Sequence, residues 1–200
     1  FQFQTDTSLL KHARLISINR LGYGPNDQGN TEVSIQKQSE AITKVLSHYQ
    51  FPYVIAVGHS FGGPITSTFV LDNPEKAKAA ILLAPANDPD EEKDFAVAIF
   101  TEWKATRWAV PWFFMVAAAE KKVHEAALRK LLPKWKTVQT PFIHIHGTAD
   151  KIVPHKNIAF SKKVIPDSLL TIISVEGGTH MIPWSEEKLI QAELLKLLVD

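Results

Sequence analysis

Residues 53–63 read Tyr53-Val54-Ile55-Ala56-Val57-Gly58-His59-Ser60-Phe61-Gly62-Gly63. The run Tyr53–Val57 is short, apolar and rich in β-formers, which predicts a buried strand. Ser60 follows, with a glycine two residues before it and another two residues after it. Ile65-Thr66-Ser67-Thr68-Phe69-Val70-Leu71 then predicts a buried helix that ends near Asn73-Pro74, where proline stops it. Strand, Gly-x-Ser-x-Gly and helix together are the pattern of a nucleophile elbow. The reason is steric. In so tight a turn, side chains at Gly58 and Gly62 are expected to collide with neighbouring backbone. Ser60 is expected in a strained conformation, its hydroxyl pushed out of the turn.

The flanking sequence alternates strand and helix signals. Arg14-Leu15-Ile16-Ser17-Ile18-Asn19 predicts a short strand, and Arg20-Leu21-Gly22-Tyr23-Gly24-Pro25-Asn26 a turn-rich loop behind it. From about Thr31 to Gln50, Ile35, Ile42, Val45, Leu46 and Tyr49 follow helical spacing. Ala79-Ala80-Ile81-Leu82-Leu83-Ala84 is a continuous apolar run, as a strand buried on both faces requires. Phe142–His146 and Leu169–Val175 predict two more strands. A last helix is expected from an N-cap at Ser185, with Glu186 and Glu187 in its first turn, nearly to Asp200. Strands alternating with helices argue for a parallel α/β sheet.

Composition narrows the function classes. With 200 residues, 45% hydrophobic and 22% charged, the chain suits one globular domain with a real core. The net charge of +1, with acids and bases interspersed, gives no footprint for nucleic acid. Zero cysteines exclude disulfides, thiolate catalysis and cysteine-ligated zinc. No apolar run approaches the length of a membrane span. The start, Phe1-Gln2-Phe3-Gln4, has no signal-peptide pattern and no methionine. The ordinary surface charge leads to an expectation of a cytoplasmic protein, monomeric or a weak homodimer.

The elbow, spelled Gly58-His59-Ser60-Phe61-Gly62-Gly63, resembles that of the α/β-hydrolase superfamily. The resemblance runs from about residue 5 to the end. It implies an α/β-hydrolase fold, a mostly parallel sheet flanked by helices. It also demands an acid and then a histidine downstream of the serine. A serine hydroxyl is a poor nucleophile at neutral pH, so it needs a base, and the base needs an orienting acid. His146-Gly147-Thr148-Ala149-Asp150-Lys151-Ile152-Val153-Pro154 is similar to the family's spelling around its acid, which makes Asp150 the candidate. Glu176-Gly177-Gly178-Thr179-His180-Met181 follows the last predicted strand and offers His180 as the base. Asp88, just after the strand at Ile81–Ala84, is the alternative acid. His144 and His146 alternate on one strand and so share a face. Without further ligand spacing they argue against a metal site. The resemblance implies no cofactor. Phe61 N–H is the expected oxyanion-hole donor.

Two features depart from the family. Arg20-Leu21-Gly22-Tyr23-Gly24 resembles the family's Asp-x-Arg-Gly-Tyr-Gly loop, but Asn19 stands at the aspartate position. The loop is expected to shape the sheet edge without chemistry. The family's first three strands, and the His-Gly loop that supplies a second oxyanion donor, have no counterpart before Arg14. The chain therefore reads as the C-terminal four-fifths of a longer hydrolase, or as one completed by another segment.

About sixty residues separate the strands at Ile81 and Ile143, far more than a usual crossover. Residues 88–133 are expected to form a helical lid on a core made of 1–87 and 134–200. Phe95, Ile99 and Trp103 share a helical face, and Trp108, Trp112, Phe113, Phe114 and Met115 form a second aromatic group. Either they line an apolar pocket or they only pack the insertion down. Phe95, Trp103, Trp112 and Met181 are the candidate substrate contacts. The leading reading is a serine hydrolase that cleaves an ester-type small molecule (carboxylic ester, or thioester, lactone or amide) through an acyl-enzyme. A perhydrolase or carbon–carbon bond hydrolase with the same triad, and a non-catalytic binding protein on the same scaffold, are the alternatives.

Overall fold

The structure, a computed structural model, describes residues 2–92, 103 and 107–199. Four strands, β1 (Val54–His59), β2 (Ala77–Leu83), β3 (Phe142–Gly147) and β4 (Leu170–Val175), form one sheet. Their order is β1-β2-β3-β4 and every pair is parallel. The helices are α1 (Thr7–Leu10), α2 (Ile35–Tyr49), α3 (Gly62–Asp72), α4 (Trp112–Leu131), α5 (Asn157–Val164), α6 (Ile182–Ser185) and α7 (Glu187–Val199). Short 3-10 turns join several of them. This is the α/β-hydrolase architecture of parallel strands covered by helices on both faces.

The apolar run in β2 is explained by its two faces. Ala80 and Leu82 join Phe142, Phe69 and Val70 of α3, Trp135, and Phe160 of α5 in one core cluster. Ile81 and Leu83 join Ile143 and Ile145, Leu9 of α1, and Ile190 and Leu194 of α7 in the other. Each large side chain buried this way contributes about 1.5–3 kcal/mol relative to exposure. α2 starts where the sequence allows a cap: Ser34 Oγ accepts from Lys37 N at 3.2 Å. α3 ends at the expected place, with Asn73 as its C-cap.

Three expectations need correction. Arg14–Asn19 is not a strand, because residues 13–20 are irregular backbone. A strand exists only through a neighbour at roughly 4.8 Å. Here a cavity of about 460 Å³ separates Arg14–Ile18 from Val54–Val57 of β1, so no ladder forms. Ser185 is not an N-cap; it is the last residue of α6, and Glu186, at φ −117° and ψ 33°, breaks the chain before α7 starts at Glu187. Pro183, in the first turn of α6, starts that short helix separately. The third correction concerns Gly62 and belongs to the site below. Of the residues proposed to share a lid helix face, Phe95 and Ile99 lie outside the described residues.

The carboxyl ends of β3 and β4 approach each other closely. A Cβ built on Gly147 would overlap the carbonyl of Gly178 and lie 2.9 Å from Thr179 O. Those neighbours are backbone and cannot swing aside. Gly147→Ala is therefore expected to destabilise the fold by about 1–3 kcal/mol or more, the range for overpacking a rigid site. Urea denaturation of the variant against the parent measures this; equal midpoints would show that the two loops can separate freely.

Candidate active site

The elbow joins β1 to α3. Ser60 has φ 54°, a left-handed conformation rare for a residue with a side chain. Its neighbours hold it there. Ser60 N donates to Leu83 O at 3.0 Å, while Ser60 O accepts from Gly63 N at 2.9 Å and Ala86 N at 3.2 Å. A Cβ on Gly58 would overlap the Thr66 hydroxyl and lie 2.5 Å from Gly62 O. Gly62, by contrast, has nothing within 4 Å of a built Cβ, so its expected collision does not occur. The second crowded glycine is Gly63, whose Cβ would press on Pro85, with Pro85 Cα at 2.9 Å. The turn needs the first glycine for its own closure and the third for packing on the exit of β2. Phe61 is the N-cap of α3 and makes no side-chain cap bond. The first-turn N–H groups of such a helix carry the positive end of its dipole.

Asp150 lies in the loop after β3. Its Oδ1 accepts from Ile152 N at 2.8 Å and Val153 N at 2.9 Å. Its Oδ2 accepts from His180 Nδ1–H at 2.7 Å. The carboxylate is fully buried. Burial alone would raise its pKa, but hydrogen bonds from His146, His180, Val153 and Ile152 outweigh that and hold it well below the usual carboxylate range. A proton on His180 Nδ1 leaves Nε2 as the basic nitrogen of the neutral ring.

His180 sits in the loop after β4. That loop is laced to the β3 exit: Thr148 N donates to Val175 O and Ala149 N to Gly178 O, both at 2.9 Å. The His180 carbonyl in turn accepts from His59 Nε2–H at 2.9 Å, and the two rings lie tilted by 41° with centroids 4.7 Å apart. His59 is the residue before Ser60, so this bond ties the histidine loop to the elbow across the end of β2. Burial, opposed by the bond to His180, lowers the His59 pKa to about 4. His59 is thus a neutral donor, braced by the edge of Trp184 at 5.7 Å.

The structure brings Asp150 and His180 together, and His59, the neighbour of Ser60 in sequence, meets the His180 carbonyl. Asp88 is elsewhere: its Oδ1 accepts from Asp90 N at 2.9 Å and caps a 3-10 turn at Pro89–Glu91. Met181 follows His180 and is half exposed. Trp112 begins α4 and tilts against Tyr23 at 6.1 Å. Trp103 is exposed, at 65%. Phe95 lies outside the described residues. Among the described residues no group of three or more metal-ligating side chains converges, and no helix is long and apolar enough to cross a membrane.

One group around the elbow was not legible in the sequence. The Phe61 ring lies between the Arg20 guanidinium at 4.7 Å and the His124 ring at 4.5 Å. Arg20 also covers Tyr23 at 4.3 Å. Arg20 Nη1 donates to Glu120 Oε1 at 2.7 Å, and Tyr23 Oη donates to Glu120 Oε2 at 2.8 Å. Burial raises the pKa of Glu120, against the opposing pull of Arg20 and Tyr23. Glu120 and His124 are one turn apart on α4, and that spacing is their only sequence signal.

The α/β-hydrolase fold family matches residues 2–110, more than half of the chain, and the chain belongs to that family. The pimeloyl-(acyl-carrier protein) methyl ester esterase of Proteus mirabilis is 26% identical over 231 aligned residues, covering 96% of this chain and 87% of that one. An esterase from Exiguobacterium antarcticum superposes with a TM-score of 0.75 at 17% identity, covering 100% of this chain and 87% of that one. A bromoperoxidase from Bacillus anthracis superposes with a TM-score of 0.71 at 17% identity, over 100% and 86%. The two superpositions speak for the fold.

The buried imidazoles set a pH dependence. Burial lowers the pKa of His59 and His124 and holds that of wholly buried His144 well below 6.5. In the unfolded chain each histidine titrates near 6.5, so below that pH the unfolded state binds more protons. Their stability is fully present above about pH 6.5 and is lost as pH falls toward 4. The urea midpoint is expected to drop steadily between pH 7 and about 5.5, above the ordinary carboxylate range. A flat midpoint across that interval would contradict the buried neutral rings.

Proposed function

We propose that this chain is a serine hydrolase of the carboxylesterase type, with Ser60, His180 and Asp150 as its triad. The observation that carries the reading is the 2.7 Å bond from His180 Nδ1–H to the buried Asp150 carboxylate, in a loop tied by His59 to the strained Ser60 elbow. In this reading His180 Nε2 takes the Ser60 hydroxyl proton as Oγ attacks the carbonyl carbon of the ester. Asp150 stabilises the imidazolium that results. Phe61 N–H donates to the oxyanion at the head of α3. The tetrahedral intermediate collapses, His180 gives its proton to the departing alkoxide, and an acyl-Ser60 ester remains. Water activated by His180 then releases the acid and restores the serine. The chemistry needs no cofactor.

The esterase name carried by the similar Proteus mirabilis protein is in line with ester cleavage. For the substrate we propose a small or medium apolar acyl group. Met181 beside the base, Trp112 at the head of α4, and Trp103 and Phe95 in the insertion are the proposed contacts, and residues 88–133 the proposed lid.

A fluorophosphonate probe tests the reading. The parent is expected to label covalently, and Ser60→Ala not at all. On p-nitrophenyl esters, Ser60→Ala and His180→Ala should each lose at least about 10³-fold in kcat, the scale seen when a triad member is removed. A well-folded parent that neither labels nor hydrolyses any ester in a series of increasing chain length would overturn it.

A further inference from the structure

Phe142, His144 and His146 share the face of β3 that meets α5, where the neighbouring positions are apolar. Both histidines are 0% exposed. Two imidazoles in such a core are costly unless every ring nitrogen has a partner. Here all four do, and the partners dictate the direction of each bond. Val153 O can only accept, so His146 Nε2, 3.1 Å away, carries a proton. A neutral His146 then has a bare Nδ1, which accepts from His144 Nε2–H at 3.0 Å. His144 in turn has a bare Nδ1, which accepts from the Ser161 hydroxyl at 2.8 Å. With both rings neutral, one tautomer of each satisfies the chain, the one protonated on Nε2.

The chain ends on the turn that carries the acid. His146 Nε2 lies 3.4 Å from Asp150 Oδ2 as well as 3.1 Å from Val153 O. Val153 N donates to Asp150 Oδ1 at 2.9 Å. The histidine pair thus grips the Asp150–Val153 turn both at its last carbonyl and at the carboxylate itself. Without it, the rotation of the carboxylate is restrained only by the two backbone N–H groups on Oδ1 and by His180, the group it must orient.

We propose that His146, set in place by His144 and Ser161, is a positioning residue for Asp150, holding the carboxylate so that Oδ2 stays on His180 Nδ1. The proposal rests on the reading of Ser60, His180 and Asp150 as a triad. The other titratable groups around this line are His155, whose ring is edge-on to His146 at 5.6 Å, and His59 and Glu176, which act at longer range. The N–H of His146 also offsets part of the buried negative charge. Removing it leaves that charge to His180 and the two backbone N–H groups, so the carboxylate pulls harder on the His180 proton.

His146→Phe keeps a ring and removes both nitrogens; His146→Gln restores an amide N–H donor. In a folded His146→Phe variant, kcat on a p-nitrophenyl ester is expected to fall roughly ten- to a hundredfold with KM nearly unchanged, as displacement of a catalytic group by a fraction of an ångström does. The acid limb of kcat/KM should move to higher pH, and His146→Gln should recover most of both effects. Imidazole ¹⁵N NMR gives a readout that does not depend on turnover. The parent should show His144 and His146 neutral and protonated on Nε2 around pH 7, and His146→Phe should displace the His180 titration upward. An unchanged kcat and His180 titration in His146→Phe, or a proton on His146 Nδ1 in the parent, would overturn the proposal. If His146→Phe does not fold, the parent tautomers and the His146→Gln and Ser161→Ala profiles decide it. A parent inert to esters and fluorophosphonate sinks the hydrolase reading instead, while the tautomers and the His180 titration still test the positioning.

Discussion

The site depends on the contact where the backbones leaving β3 and β4 meet. Gly147 and Gly178 touch with no room for a side chain. Parallel pairing in the register His146↔Ser174 and Gly147↔Val175 delivers both loops to the same edge of the sheet. The bonds from Thr148 N and Ala149 N then fasten one loop to the other. Asp150 and His180 are distant in sequence, yet their contact follows from this register with little freedom left. The elbow comes from β1, two strands away. Its His59 meets the His180 carbonyl past the end of β2, where Ala84 turns at φ 43° and Leu83 O receives Ser60 N.

Buried polar groups do the remaining fixing, each with a specific partner. Gln38 accepts from Leu21 N at 2.8 Å and donates to Leu21 O and Glu32 O at 3.1 and 3.0 Å, which sets the loop after Asn19 on α2. Glu120 binds Arg20 and Tyr23 and sets the same loop on α4. Losing one partner of such a set leaves a buried group unsatisfied, at about 1–3 kcal/mol and more for a charge. Apolar packing tolerates sliding, whereas these bonds hold one arrangement. They occur where loops must be placed relative to the sheet, and the apolar clusters occur where layers only need to adhere.

Much of this was legible in the sequence, for definite reasons. The elbow, Asp150 and His180 each follow an apolar run that forms a strand; the run before Asp150 is buried throughout, and those before the elbow and His180 only partly. Arg14–Asn19 shows why pattern alone fails: alternation signals the capacity to pair, but pairing needs a neighbour, and a cavity lies where one would sit. Gly62 and Gly63 were separable only in three dimensions, because Pro85, which makes Gly63 necessary, is brought up by the β1–β2 packing. Ser185 had the chemistry of a cap, but Pro183 had already started a separate turn. His144 and His146 were seen to share a face, yet their partners Ser161 and Val153 come from elements whose placement no local pattern encodes.

Phe61 joins the elbow to α4. Its backbone heads α3, where the proposed oxyanion donor lies. Its ring is held from outside, between Arg20 and His124. Arg20 is fixed by Glu120, and both Glu120 and His124 ride on α4. His124 is fixed in turn by its bond to Ala86 O at 3.0 Å, next to the Pro85 that packs on Gly63. A closed set of contacts therefore runs from the elbow to α4, on to the exit of β2, and back to the elbow. Through it, α4 braces both the Phe61 ring and the exit of β2. The proposed lid is thus packed, through α4, against the residue that offers the proposed oxyanion donor.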